Sequence, residues 1–581
     1  SGNFGGGIAN VYGGTVNMNN VDFVSNSATK AGGAIYNGKD INYGGSTGSM
    51  STNHGILNIA GTNTFTGNTA GEFGGAIYND NGGTINMSGT NTFANNTHGE
   101  YAGANDIYNL GTLNITDGTT TIGGGIAGTG DFVLENGATL NIGTALIQQG
   151  TVNLDGAIVA SAMNSTSFGR FAGDVTVGGN ATLDLTVGSV GTYDIFAGKT
   201  IDVSKVTVGD TYLVESGEDG IVITTKAVED IAADTGLTTQ AAGAIAGLAN
   251  ATDKNLQKVS LAAQQVLNSG DVAAVERETK KLNPTDKPVA QATAASVQNQ
   301  VLSLTSGRMA GGVSVGRAGG DAVSKENGFW MQGLFNKSKL ADEFNGYTRG
   351  FALGADLLID NKWTIGGGLA VNDSDVRSNT ADIDIDSKTV FLYGQYKPSN
   401  WFVNATATYS MSEYTENKNP FGVMSGAAYD VESYGVQAMG GYDFATGITA
   451  EAGLRYLHIA QDAYTDDLGF KVKATDTDFL SGVAGLKYAF AIENDWKVRL
   501  RPELRAAMTY DFISDDIVAT VAMPGVASYK VDVERLSRMG GEFGIGLTAL
   551  YRGMEVSLMY DLDLHKDYTS QTGMIKFRGQ F

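Results

Sequence analysis

The chain has 581 residues, with 81 glycines, six prolines, no cysteine and a net charge of −23. That length calls for several domains, the acidic balance leaves no basic stripe for nucleic acid, and the absence of cysteine excludes any disulfide restraint. No apolar run reaches the ~18 residues of a transmembrane helix, so a membrane crossing would have to use strands.

The first 226 residues repeat. GGGIAN (5–10), GGAIYN (32–37 and 74–79) and GANDIYN (103–109) recur, as do TVNM (15–18), ILNI (56–59), TINM (84–87) and TLNI (112–115 and 139–142). A third element pairs Phe with Asn: Phe23 with Asn26, Phe65 with Asn68, Phe93 with Asn96. The later copies of TINM/TLNI and of the Phe element lie 28 residues apart, and a Gly/Ser-rich loop at 38–55 separates earlier ones. Short strands at such a period, each with an inward apolar residue, describe the coils of a parallel β-helix, read here as right-handed. Recurrent Asn stacks into ladders, and Gly allows the corners. Only six Lys/Arg occur before residue 227, widely scattered. His54 and His98 read as solvated loop and turn residues. There is no HExxH, no GDSG-type serine and no phosphate-binding Gly loop ending in Lys-Ser/Thr, so no catalytic, metal or cofactor site is expected. The chain opens inside a repeat, at SGNFGGGIAN, and reads as a fragment whose targeting segment and earlier repeats lie upstream. From about residue 125 the repeat loosens into short strands with Gly/Asn/Asp turns, a hairpin-like cap through 226.

From Lys226 the composition turns to Ala, Gln, Lys and Leu. Ile245, Leu248, Thr252, Leu256, Val259, Ala263 and Val266 are spaced for one amphipathic helix ending near 268–270. Asp271 caps a second helix through Leu282, and NPTDKP (283–288) breaks it. The third, 289–309, is slim and polar, as a helix threaded through a wet pore needs to be. The stretch 227–326 is thus a helical linker.

From 327 to 581 twelve alternating segments follow, roughly 328–340, 347–359, 363–372, 386–398, 401–416, 429–444, 448–462, 477–492, 496–513, 534–551, 553–565 and 568–581. The connections after even strands are short; after most odd strands they are long, as in NDSDVRSNTADID (372–384). Short turns on one rim and long loops on the other suit an outer-membrane barrel. A twelve-stranded barrel is too wide for its own side chains to fill, so its apolar rows should face lipid. On 496–512, Leu500, Leu504, Met508 and Tyr510 would then face acyl chains, and Lys497, Arg499, Arg501, Glu503 and Arg505 the pore. Glu451, Arg455 and Glu555 join them on neighbouring strands. Trp330, Trp363, Trp401 and Trp496, near strand starts, would form a belt at one membrane interface. Pro502 cannot donate to the ladder and predicts a bulge or break there.

The order β-helix, helical linker, twelve-stranded barrel and terminal Phe581 resembles the monomeric autotransporters (type V secretion) over essentially the whole chain. The GGAIYN and Phe-x-x-Asn repeats are similar to those of polymorphic outer-membrane adhesins. Ile575, Phe577 and Phe581 resemble the C-terminal signal read by the barrel-insertion machinery. The resemblance implies a monomer embedded in outer-membrane lipid, escorted by periplasmic chaperones, whose passenger (1–124, with an autochaperone-like junction at 125–226) is exported past the lumen helix. It also implies that this passenger meets a ligand on a host or neighbouring cell. No Asn-Asn pair occurs in 289–326, so the passenger is expected to stay attached. The alternatives are a secreted hydrolase whose catalytic region lies outside this sequence, or an outer-membrane pore.

Overall fold

The computed structural model describes residues 2–39, 53–99, 106–282, 301–302, 305, 309, 327–341, 344–492, 498–514, 517–522, 529–533, 537–552 and 554–580. They fall into two compact units, Ser1–Arg277 and Glu278–Phe581.

In the first unit each repeat lays its strands parallel upon the previous copy. Ile8, Ile35, Ile77 and Ile107 stand in one register row, and Val16, Leu57, Ile85 and Leu113 follow in the next. Because identical residues stack, one favourable contact is repeated along the column. Phe23, Phe65 and Phe93 stack with centroids 5.0 and 4.4 Å apart, and Tyr36, Tyr78 and Tyr108 at 5.3 and 5.7 Å. Burial, with Asp80 nearby, pushes the Tyr36 phenol up to about 12. The buried corners are held by amide ladders. Asn10, Asn37 and Asn79 each donate through Nδ2 to the Oδ1 of the next coil's Asn at 2.7 Å, and Asn109 donates to Gln149 Oε1 at 2.6 Å. A second ladder runs Asn26–Asn68–Asn96 at 2.9 Å per step and ends on the Asp106 carboxylate at 2.7 Å.

The stretch read as a hairpin-like cap contains antiparallel pairing. Gly191–Tyr193, Gly220–Thr225 and Tyr212–Gly217 form a small antiparallel sheet, and the last parallel strand, Val206–Val208, lies between them in the chain. The helical stretch differs from expectation. A helix Val228–Thr235 comes first, and the long amphipathic pattern is split into Thr239–Ala249 and Lys254–Asn268. The break has a local cause: Asp253 accepts from the N–H groups of Asn255 and Leu256 and starts a new helix. Asp271 caps Val272–Lys280 through Ala274 N–H, as read. These helices belong to the first unit up to Arg277. They close the end of the coil stack: Val190 N–H donates to Ala249 O at 2.9 Å, and Asn164 Nδ2 to Gln257 Oε1 at 2.7 Å.

The second unit is a closed antiparallel barrel of twelve strands. In order they are Gly328–Leu340, Phe344–Ile359, Trp363–Ser378, Asp382–Tyr396, Trp401–Lys418, Ser425–Asp443, Ile448–Gln461, Thr475–Ala489, Arg499–Ser514, Met539–Tyr551, Met554–His565 and Tyr568–Gln580. The last pairs with the first over thirteen residue pairs and seals the ring. The long-loop rim departs from expectation. Most of 372–384 is strand, leaving only residues 379–381 between the third and fourth. There the alternation reverses its sense without losing its period. Ile365, Leu369 and Val371 point outward, whereas further along the same face come Asp373, Asp375 and Arg377, with Val376, Ile383 and Ile385 buried inside. Above the membrane the outside is water, so the apolar side turns in. Two loops on this rim also form a four-stranded sheet, Tyr464–Thr465, Lys471–Val472, Ile517–Ala522 and Tyr529–Val533.

Pro502 interrupts one ladder, as its missing N–H requires. Continuous pairing to the eighth-strand side stops at Ala489–Glu503 and resumes as a single bridge at Ile492–Leu500, while pairing to the tenth runs through it. The register shift lies elsewhere on this strand, at Phe512, and leaves Phe512 and Ile513 both exposed.

Removing one rung from the first amide ladder strands a donor and an acceptor on its buried neighbours. Asn79→Ala is therefore expected to destabilise the β-helix by roughly 2–4 kcal/mol, read as a lower midpoint in urea unfolding followed by circular dichroism. An unchanged midpoint would contradict the ladder's role.

Candidate functional site in the barrel lumen

Alternation gives each strand one face toward the lumen, and the two halves of the ring differ in chemistry. The first six strands line it mainly with neutral groups such as Asn336, Thr348, Ser374, Thr389, Asn404, Thr406 and Gln437, all buried. Many bond across strands: Asn336 to Ser570 and Thr572 at 2.8 Å, Thr348 to Ser374 at 2.8 Å, Gln395 to Asn404 at 2.8 Å. The last six strands concentrate the charge. Arg455 Nη1 donates to Glu542 Oε1 at 3.0 Å, Arg505 lies 3.4 Å from Asp561, Arg501 3.6 Å from Glu503, and Lys576 3.8 Å from Glu555. Lys397 and Asp443 pair near the short-turn rim. Opposite charges this close keep the wall polar without a large net field.

Against the neutral wall lies a segment of helix. Of 289–309 only Val301, Leu302, Thr305 and Met309 are described, all helical and buried. Val301 and Met309 pack with Trp330, Ala352, Ala370, Phe391 and Tyr393, and Thr305 Oγ1 is 3.1 Å from Thr406 Oγ1. Positions 301, 305 and 309 are four apart, so one stripe of the helix faces the wall. At the long-loop rim Glu278 accepts from Phe421 N–H at 3.1 Å and Lys281 donates to Asn419 O at 3.4 Å. The expected helix over 289–309 lies mostly outside the described residues; its four described residues are helical and sit against the lumen wall.

Arg501, Glu503, Arg505, Glu451, Arg455 and Glu555 all lie on lumen-facing positions. Arg499 shares their face but is exposed at the strand's start. Lys497 and Trp496 lie outside the described residues, as does Phe581. Trp363 and Trp401 are outward, 46% and 44% exposed, and Trp363 rests on Tyr396 at 4.3 Å. Ile575 is half-buried and Phe577 is 45% exposed on the outer face.

Trp330 corrects the expected belt. It is 0% exposed and points into the lumen, donating its Nε1–H to Tyr393 Oη at 2.9 Å. The cause is parity. Phe329, Met331 and Phe335 hold the outward positions, so Trp330 shares a face with Gln332 and Asn336. An indole buried there needs an acceptor, and Tyr393 supplies it. The same parity would have found lumenal residues that sequence reasoning passed over. Lys576 and Arg578 alternate with Ile575 and Phe577, and Glu542 with Phe543.

A closed barrel with an apolar exterior, an ionised interior and a helix in its lumen, carried on the same chain as a parallel β-helix, defines an outer-membrane translocator with its passenger. Residues 329–561 match the family model "Autotransporter beta-domain", and the barrel is an autotransporter β-domain of the outer membrane. Two curated relatives are each 26% identical: "Outer membrane protein A" of Rickettsia conorii over 324 residues (50% of this chain, 16% of that protein), and "Outer membrane protein A" of Rickettsia rickettsii over 293 (45% and 13%). The chain therefore spans about one sixth of the length of the relatives it matches. Among solved structures, the translocator domain of the autotransporter NalP from Neisseria meningitidis is 19% identical with TM-score 0.43, covering 52% of this chain and all of that one. The transport unit of AIDA-I from Escherichia coli is 15% identical with TM-score 0.33, covering 47% and 96%. Neither the autotransporters nor these outer membrane proteins are enzyme families.

The loop between the seventh and eighth strands carries a titratable group in a built setting. Asp466 accepts N–H bonds from Leu468 and Phe470 at 3.0 and 2.8 Å, and burial pushes its carboxyl up to about 6 despite those bonds and the nearby Lys418. A raised carboxyl favours the folded loop at low pH. Its contribution is fully present below about 4 and is lost as pH rises through about 6. Hydrogen exchange across 462–474 should therefore slow as pH, after correction for intrinsic rates, falls from 7 to 5. In Asp466→Asn, which keeps the two N–H bonds, that dependence should vanish; its persistence would reject Asp466 as the source.

Proposed function

We propose that the barrel exports its own β-helical passenger and then holds it at the cell surface, uncleaved, as an adhesin-like rod. The observation that carries this reading is the helix packed along the lumen wall through Val301, Thr305 and Met309. The chain threads the barrel that anchors it, which is how a passenger and its pore come to be one polypeptide. The ionic wall, including Glu451, Arg455, Arg501, Glu503, Arg505 and Glu555 with Lys497 and Arg499, keeps the passage hydrated. Trp363 and Trp401, joined by Trp496, anchor the short-turn rim at the membrane interface. Ile575, Phe577 and Phe581 serve the insertion machinery as the assembly signal. Folding of the coils outside, each templated by the ladder of the one before, biases the movement outward without ATP. The helices that close the coil stack and the small antiparallel sheet form the junction from which that folding starts.

The rod has a long solvated flank and, among the described residues, no cluster of metal-ligating side chains. We assign it binding and not turnover, its partner a surface ligand on a host or neighbouring cell, and the barrel works as a monomer. Protease shaving of intact cells should release the β-helix, and an untreated surface sample should run as one band of full length. Two bands would overturn retention, and turnover of polysaccharide or peptide substrates by intact cells would overturn the adhesin reading. In planar bilayers, deleting 289–320 should raise single-channel conductance several-fold by opening the lumen; an unchanged conductance would mean that the helix does not obstruct it.

A further inference from the structure

Asp356 sits on the second barrel strand between two positions that carry no side chain. Its cross-strand neighbours are Gly328 on the first strand and Gly366 on the third. Arg578, from the twelfth strand, reaches over Gly328: its Nη2 lies 3.5 Å from Asp356 Oδ1, and a Cβ at 328 would come within 2.6 Å of that guanidinium. Tyr393, from the fourth strand, reaches over Gly366: its hydroxyl donates to Asp356 Oδ2 at 3.0 Å, and a Cβ at 366 would meet the phenol ring at 2.4 Å. One carboxylate is gripped from two strands away in each direction, and all three side chains are buried.

Each arm of this grip leads somewhere. Arg578 stands opposite Trp330 across the seam between the twelfth and first strands, the one pairing in the ring that no loop joins. It also approaches Glu555 at 3.9 Å. Tyr393 accepts from Trp330 Nε1 at 2.9 Å, and Trp330 and Tyr393 are walls of the socket that takes Val301 and Met309 of the lumen helix. Buried ionic networks are strong when every member is satisfied and weak when one is not, because the desolvation cost of the others remains.

We propose that Asp356 is the hub of a seam lock, clamping the last strand to the first two through Arg578 and reading through Tyr393 and Trp330 whether the helix is seated. With the helix docked, the socket is dry and Tyr393 is held over Gly366, so Asp356 keeps both partners. With the lumen empty, water reaches the hydroxyl and the carboxylate, and the seam loosens. Barrel closure is thereby tied to the completion of export. This timing rests on the export reading, whereas the lock itself rests only on the contacts.

The test uses the full chain in liposomes and two readouts. One is the temperature at which the folded band converts to the unfolded one on detergent gels. The other is the maleimide labelling rate of Thr305→Cys, introduced into a chain with no cysteine of its own. Arg578→Gln should lower the conversion temperature and speed labelling on the distant helix about tenfold, because losing the buried ion pair leaves the Asp356 charge unbalanced. Tyr393→Phe, which keeps the ring and removes only the hydroxyl, should do the same to a smaller extent. Asp356→Asn with Arg578→Gln should recover part of the loss, since neither charge is then left alone. Val301→Asp, which unseats the helix, should lower the conversion temperature in the natural background and hardly at all in Arg578→Gln. If Arg578→Gln weakens the seam without changing labelling, or the Val301 and Arg578 effects simply add, the coupling is wrong. Loss of surface display with both readouts intact would sink the export reading and leave the lock standing.

Discussion

Each strand of the barrel has two faces, and everything the domain does depends on which of them meets hydrocarbon. Twelve strands enclose a lumen that side chains alone cannot fill, so the inner face must be wettable and the outer face must not. That single requirement puts Leu504, Met508 and Tyr510 outside, Arg501, Glu503 and Arg505 inside, and Trp330 in the lumen although its neighbours face lipid. It also fixes where the requirement ends. On the third and fourth strands the outward row changes from Val371 and Val390 to Asp373 and Asp386, and Val376, Ile383 and Ile385 close inward around Tyr414 and Tyr429. The backbone is continuous through this point; only the solvent has changed.

The β-helix solves a different problem by repetition. It has one dominant contact per column, an amide on an amide or a ring on a ring, and each new coil forms that contact with the coil already folded. Such a structure suits a chain delivered in extended form, because a coil needs only its immediate neighbour as template. The barrel, by contrast, closes through its two most distant strands, Gly328–Leu340 and Tyr568–Gln580. Its integrity is a long-range property, and the buried polar contacts around Asp356 lie beside that seam.

Much of this was legible in the residues because both architectures are periodic. The recurring IYN, TxNx and Phe-x-x-Asn elements announced the coils, and strict alternation placed the strands, most of them within a few residues. What escaped did so for identifiable reasons. The extension of the third and fourth strands looked like a loop, because NDSDVRSNTADID is acidic on the face that had been apolar. Trp330 shares its residue type with Trp363 and Trp401, but its parity with Gln332 and Asn336 places it inside. The split at 250–253 was hidden because Thr252 fits the apolar stripe, and only Asp253 as a cap reveals the break. The contact of Asp356 with Arg578 joins opposite ends of the barrel sequence and that with Tyr393 skips a whole strand, and no local pattern announces either.

The facing of the strands, with its reversal at the outer rim, is tested most directly by site-directed spin labelling in lipid. Single cysteines replacing residues 364–377 in turn would be scanned for collision with oxygen, which concentrates in the bilayer, and with a water-soluble nickel chelate. Oxygen maxima are predicted at 365, 369 and 371, giving way on the same face to nickel maxima at 373, 375 and 377. Oxygen maxima at the even positions, or one solvent sense along the whole strand, would contradict the account.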